Sequence, residues 1–172
     1  MGKGQKYNEI LTTSYDLFRK YSFNTVGVDR IIQESKVAKQ TFYSNFNTKQ
    51  ALIQACIELE YQKIFQDLEY ILEQGESIEN FEKMKAIIGF FLNLTTIESF
   101  NGLLVDKVII ELPLYKKEFS SYFEKFNKKI LDILYSSIQD VSFEQKKKLT
   151  IIYFYIIKGI INPSSSIGIA QI

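Results

Sequence analysis

Between Ser35 and Ile53 the chain reads SKVAKQTFYSNFNTKQALI. Phe42 and Phe46 stand four residues apart, and Lys39, Gln40, Thr41, Tyr43 and Ser44 lie around them. Helical positions i and i+4 share one face, so both phenylalanines can enter a core while the polar-tipped residues stay outside. Ammonium, amide and hydroxyl groups set along two helical turns are hydrogen-bonding equipment rather than acid–base equipment. Long donors reach phosphate oxygens, and short polar groups can approach base edges in a major groove. A solvated face on a small helical module has the same periodicity, so spacing alone leaves both readings open.

The elements that must position this face follow from the apolar pattern. Ile10, Ser14, Leu17, Phe18 and Tyr21 share a helical face, which predicts a first helix from about Lys6 to Tyr21. SFNTVG breaks it. Val28, Ile31 and Ile32 mark a short second helix with Gly27 or Thr25 near its N-cap, and SKVA breaks the chain again. A third helix then covers Lys39 to Asn45, and Phe18, Phe23, Val28, Ile31 and Val37 can form a core with Phe42 and Phe46. Three short helices with two tight breaks make a helix-turn-helix arrangement. Thr48 is a good N-cap for a long fourth helix carrying Leu52, Ile53, Cys56, Leu59, Ile64, Leu68, Ile71 and Leu72 to about Gln74. GES at Gly75 to Ser77 marks a boundary. Helices are expected over about 78–96, 100–111, 114–138 (with Pro113 at its start) and 143–161, the last two separated by DVS at Asp140. No strand-like alternation is sustained, so the fold class is all-α, in two parts that share the fourth helix.

Composition excludes several functions. The 172 residues contain no histidine, which removes the commonest general base and metal ligand, and the single Cys56 can form neither an internal disulfide nor a thiolate cluster. No glycine-rich phosphate loop follows a strand. Glu98, Asp106 and Glu111 lie near apolar helices and could pair catalytically, but exposed faces or polar contacts explain them more simply. The expectation is no enzyme, no metal and no cofactor. LTIIYFYIIKGII, with Lys158 inside it, is too short to span a bilayer. With no signal peptide, the expected location is the cytoplasm. Residues 1–50 hold eight Lys or Arg against four Asp or Glu, a charge of +4, while the remainder holds 13 against 16, a charge of −3. A basic head on a mildly acidic body suits a chain that meets a polyanion at one end.

The segment from Ile10 to Leu52 resembles the DNA-binding domain of the TetR family of bacterial transcription regulators. Phe18, Phe23, Val28, Ile31, Val37, Thr41, Tyr43, Phe46, Lys49 and Leu52 occupy the corresponding places, and TFYSNFNTKQAL is the most specific part. The chain departs from the pattern at Ser22 and Lys36, where the family has turn glycines, and at Val26 and Gly27, where it has a threonine pair. Ala38 replaces the usual serine cap of the third helix, forfeiting about 1 kcal/mol. The resemblance implies a helix-turn-helix DNA-binding domain over residues 1–50 and a helical effector-binding and dimerisation domain over 51–172. Thr41, Tyr43 and Lys49 are then expected to hold phosphates, and Lys39, Gln40 and Ser44 to read bases, with Gln40 suited to adenine. Lys3 and Lys6 either extend an arm to the backbone or belong to a solvated tail.

The second part is rich in aromatics. Phe90, Phe91, Phe100, Phe119, Phe123 and Tyr153 are together expected to line a cavity for a small apolar effector, though each taken alone reads first as core packing. Leu149, Ile152, Tyr153, Ile156, Ile157 and Ile160 form a broad apolar stripe on the last helix. Family members pair two such helices across a two-fold axis. Here only NPSSSIGIAQI follows, so a homodimer is expected mainly on residues 143–161, helped by 114–138, with an interface smaller than the family norm. The expected whole is a one-component regulator, a repressor on palindromic double-stranded operator DNA released by its ligand. A constitutive DNA-binding protein without an effector is the alternative.

Overall fold

The first helix, α1 (Gln5–Lys20), turns Ile10, Tyr15, Leu17 and Phe18 inward, and Ser14 among them is satisfied by donating to Ile10 O at 2.7 Å. This computed structural model describes residues 4–73, 80–97 and 100–162. After α1 come α2 (Val28–Ser35), α3 (Lys39–Asn45), the long α4 (Lys49–Glu73), α5 (Asn80–Thr95), α6 (Leu104–Glu111), a 3₁₀ turn at Pro113–Tyr115, α7 (Lys116–Ser137) and α8 (Phe143–Ile161). There is no strand among the described residues, and none of their helices is long and apolar enough to cross a membrane. The expected break at Gly75 to Ser77 and the residues from Pro163 onward lie outside the described residues, as do Lys3 and Glu98.

Local chemistry explains most of the boundaries. Thr48 caps α4 by accepting the Ala51 N–H at 3.0 Å. Ser142 and Gln145 form a reciprocal capping box at the start of α8. Just before it the chain turns at Asp140, which has a φ of 56°. α6 begins four residues later than the periodicity predicts, because Gly102 takes a φ of 81° and residues 100–103 run as a turn into the helix. The predicted helix over 114–138 likewise resolves into the 3₁₀ turn and α7, since Pro113 fixes the entry.

α1, α2 and α3 close around Phe18, Phe23, Val26, Ile31, Phe42 and Phe46, none more than 3% exposed. Val28, expected in this core, is half-buried. Tyr7 stacks on Phe46 with ring centroids 4.7 Å apart, which pins the start of α1 over the end of α3. α4 leaves this module and enters a second core with α5 to α8, where Phe65 and Phe126 meet at 5.2 Å. One continuous apolar cluster runs through both parts.

Candidate nucleic-acid interface and the joint that carries it

α3 is divided as its sequence predicts. Phe42 is fully buried and Phe46, at the C-terminal end of the helix, is 3% exposed. Lys39, Gln40, Tyr43 and Ser44 are exposed, and Thr41 is half-buried. The Ser44 hydroxyl donates to Thr41 O at 2.9 Å, so its oxygen is left to accept rather than donate. Thr41 O also takes the Asn45 side-chain N–H at 2.8 Å. The Lys39 ammonium lies 3.7 Å from Asp29, a surface pair that salt or a phosphate can readily displace. Ala38 stands at the N-cap of α3 and makes no side-chain cap. The turn between α2 and α3 closes through Lys36 in the left-handed region (φ 54°, ψ 36°), and the Val37 N–H reaches back to Ile32 O at 3.4 Å.

Lys49, the last of the expected phosphate ligands, has a different position from its neighbours. It opens α4 half-buried, and its Nζ donates to Phe23 O at 2.5 Å, across the turn between α1 and α2. Burial lowers its proton affinity below that of a free lysine. An ammonium has three donors, and in this structure one is bonded to that carbonyl.

The same α1–α2 turn is gripped from α6, a contact the sequence reading missed. Lys107 is 1% exposed and donates to Phe18 O at 2.7 Å and Tyr21 O at 3.1 Å. These are carbonyls at the C-terminal end of α1, where a cation also meets the negative end of the helix dipole. Burial pulls the Lys107 ammonium toward neutrality, opposed by Glu111 and Glu60. Glu111 accepts the Phe23 N–H at 2.7 Å and the Ser22 hydroxyl at 2.9 Å, and its backbone carbonyl takes the Asn24 amide at 3.0 Å. At its other end α6 is tied to two more helices. Glu60 of α4 accepts the Leu104 N–H at 2.7 Å, and Lys158 of α8 pairs with Asp106 at 2.5 Å. α6 is thus a short strap from the helical body to the turn that orients α2 and α3.

The six aromatics expected around a ligand are spread over α5, α7, α8 and the turn before α6. Phe91 and Phe119 are fully buried, whereas Phe90, Phe100, Phe123 and Tyr153 are half-buried against the core. Phe90 meets Phe91 edge-on at 5.2 Å, and the Lys158 ammonium sits 5.0 Å from the centre of the Phe123 ring. On α8, Ile152 is 53% and Ile156 42% exposed, and Leu149, Tyr153 and Ile160 are half-buried. Ile157 is fully enclosed by its own chain, so its side chain belongs to the monomer core and not to an outward face. Ile151 at 53% and Tyr155 at 68% complete the exposed strip in its place.

A short helix with a split apolar and hydrogen-bonding surface, seated on two others across a tight turn, defines a helix-turn-helix protein with a helical body. Residues 10–56 match the profile described as bacterial regulatory proteins, tetR family. The chain is 32% identical over 73 residues to the uncharacterized HTH-type transcriptional regulator YuxN of Bacillus subtilis (strain 168). That stretch is 42% of this chain and 25% of YuxN, so the chain spans about a quarter of that relative's length. In fold, the chain is similar to SCO4454, a TetR-family transcriptional regulator from Streptomyces coelicolor. The TM-score is 0.70 at 16% identity, over 94% of this chain and 96% of that one. It is similar also to the reduced form of NemR from E. coli, with a TM-score of 0.69 at 17% identity over 92% and 95% of the two chains. The match to the tetR family thus covers residues 10–56, and beyond them the likeness is one of fold.

Proposed function

We propose that the chain is a one-component transcription regulator, a repressor that binds palindromic operator DNA as a homodimer and leaves it on binding a small apolar ligand. The observation that carries this reading is the division of α3: two phenylalanines inward, with Lys39, Gln40, Tyr43 and Ser44 outward. Lys39, Gln40 and Ser44 read bases, and Thr41 and Tyr43 hold phosphates, joined by the remaining donors of Lys49. The exposed strip Ile151, Ile152, Tyr155 and Ile156 supports pairing of α8 with a second copy, because an apolar strip of that length favours association. Two-fold pairing sets the two α3 helices about 34 Å apart, one turn of duplex. The strap through α6 supports ligand control, since a ligand among α5, α7 and α8 that shifts α6 also shifts the α1–α2 turn.

Selection of duplexes from a randomised library, followed by binding titrations at several salt concentrations, tests the reading. Enrichment of a two-fold symmetric site, bound with a steep inverse salt dependence, is expected. No enrichment refutes it. Sedimentation at micromolar concentration tests the dimer: Ile152→Asp should shift the chain to monomer without unfolding it, and a wild-type chain that is already wholly monomeric refutes the pairing. The full enclosure of Phe91 and Phe119 favours a second reading, a constitutive DNA-binding protein with a filled core. Under it, no small molecule both raises the melting temperature and weakens DNA binding.

A further inference from the structure

Glu60 lies on the apolar face of α4, one turn after Cys56 and one before Ile64, and is 2% exposed. A carboxyl so enclosed should be partnered by a cation in direct contact. Its hydrogen bond goes instead to a backbone amide, Leu104 N–H at 2.7 Å, at the start of α6. The charged and titratable groups facing it come from each helix packed there. α1 contributes Tyr15, Arg19 and, beyond them, Asp16; α4 contributes Cys56; α6 contributes Asp106 and Lys107. Two of these are already engaged, Asp106 with Lys158 and Lys107 with the carbonyls ending α1. Arg19 Nε is buried with no hydrogen-bond partner among the described residues. A weakly compensated carboxyl therefore sits where the DNA-reading module, the long helix and the strap converge.

We propose that Glu60 makes the seam between α4 and α6 a proton-operated joint, closed while the carboxyl holds its proton and opening as the proton leaves, which slackens the hold of α6 on the α1–α2 turn. Enclosure raises the Glu60 carboxyl from 4.5 to about 8, with the Leu104 N–H and Arg19 opposing the rise and Asp106 adding to it. Opening the seam gives the carboxylate water and returns it toward its ordinary value. The closed form thus holds the proton more tightly, and by linkage each rise in pH between about 4.5 and 8 favours the open form. Above 8 the effect levels off. Tyr15, raised to about 12, and Cys56, also raised, titrate above this window.

The joint itself is independent of the proposed function. Only its consequence for DNA rests on that reading. The test follows hydrogen exchange of the Leu104 amide in the full chain without DNA, over about pH 6 to 8, after the intrinsic pH dependence of exchange is divided out. One linked proton sets a ceiling of about tenfold loss of protection per pH unit. The wild type is expected to lose at least threefold per unit, and Glu60→Gln, neutral and of the same shape, to lose none. Carbon-13 labelling of the glutamate side chains gives a second readout, in which the Glu60 resonance titrates near pH 8. Equal pH dependence in wild type and Glu60→Gln, or a Glu60 resonance that titrates in the ordinary carboxylate range, overturns the joint. A selected palindromic duplex completes the experiment. Affinity that weakens with pH in the wild type more than in Glu60→Gln supports the whole chain of coupling. Exchange that moves with pH while affinity does not leaves the joint standing and overturns the coupling between α6 and DNA binding.

Discussion

Replacing Lys107 with methionine removes one ammonium and keeps an apolar stem of nearly the same length. The ammonium holds two carbonyls at the end of α1, Phe18 O at 2.7 Å and Tyr21 O at 3.1 Å, at a site 1% exposed. A hydrogen bond to a charged group contributes about 1.5–3 kcal/mol, and stranding a buried carbonyl costs about 1–3 kcal/mol. Two effects work against these losses: burial already disfavours the ammonium, and a methionine packs its thioether well where a lysine must be desolvated. A net loss of about 3 kcal/mol follows, part of it from leaving Glu111 without the cation 4.0 Å away. Urea unfolding followed by circular dichroism reads this as a lower midpoint at unchanged slope. Exchange at the Phe23 amide, which donates to Glu111, should accelerate more than exchange in the core of α7. If Lys107→Met unfolds within about 0.5 kcal/mol of wild type, α6 does not secure the turn, and the strap fails as a mechanical link.

Lys36 takes a left-handed conformation that glycine adopts without strain, so Lys36→Gly should stabilise the fold by about 1 kcal/mol, read as a raised melting temperature. Because Glu60 binds its proton more tightly folded than unfolded, its contribution to stability is complete below about pH 4.5 and is lost as pH rises through 8. Glu60→Gln should therefore gain on the wild type steadily across that range in unfolding titrations, and a difference that is constant with pH refutes the assignment. On a selected duplex, Gln40→Ala should relax preference at one base pair in each half-site at a cost of about 1–3 kcal/mol there, whereas Tyr43→Phe should weaken all sequences alike. A Tyr43→Phe variant that discriminates between sequences reverses those two roles.

Where the period and the capping chemistry agreed, the elements were legible. α3 and α8 have the bounds the sequence predicts, and Thr48 caps α4 as expected. The outward face of α8 was not legible, because apolar residues occupy nearly every position from Leu149 to Ile161 and any stripe can be drawn through them. Burial decides it: Ile157 and Ile161 turn inward, and Ile151 and Tyr155 turn outward. The roles of Lys49 and Lys107 were hidden for another reason. Their partners are backbone carbonyls 26 and up to 89 residues away, and a carbonyl leaves no trace in residue type. Two signals did exist. Lys107 interrupts the apolar run LLVDKVII, and Glu60 falls in register with Cys56 and Ile64, so each charged residue sits on a face that the period assigns to the core.

The grip of α6 on the α1–α2 turn also has a consequence for synthesis. Lys107 and Glu111 bind residues 86 to 89 positions earlier in the chain, whereas the cores of α1, α2 and α3 are local. During translation the three small helices emerge first and can pack on one another. The carbonyls ending α1 and the amide of Phe23 must then rely on water until α6 leaves the ribosome. Contacts of such long sequence separation form late because the loop they close is entropically expensive. A nascent chain stalled before Lys107 should therefore carry a helix-turn-helix that is assembled but loose, and one released beyond Glu111 should carry it locked. The DNA-binding competence proposed for this module is then acquired only once the chain has been made past Glu111.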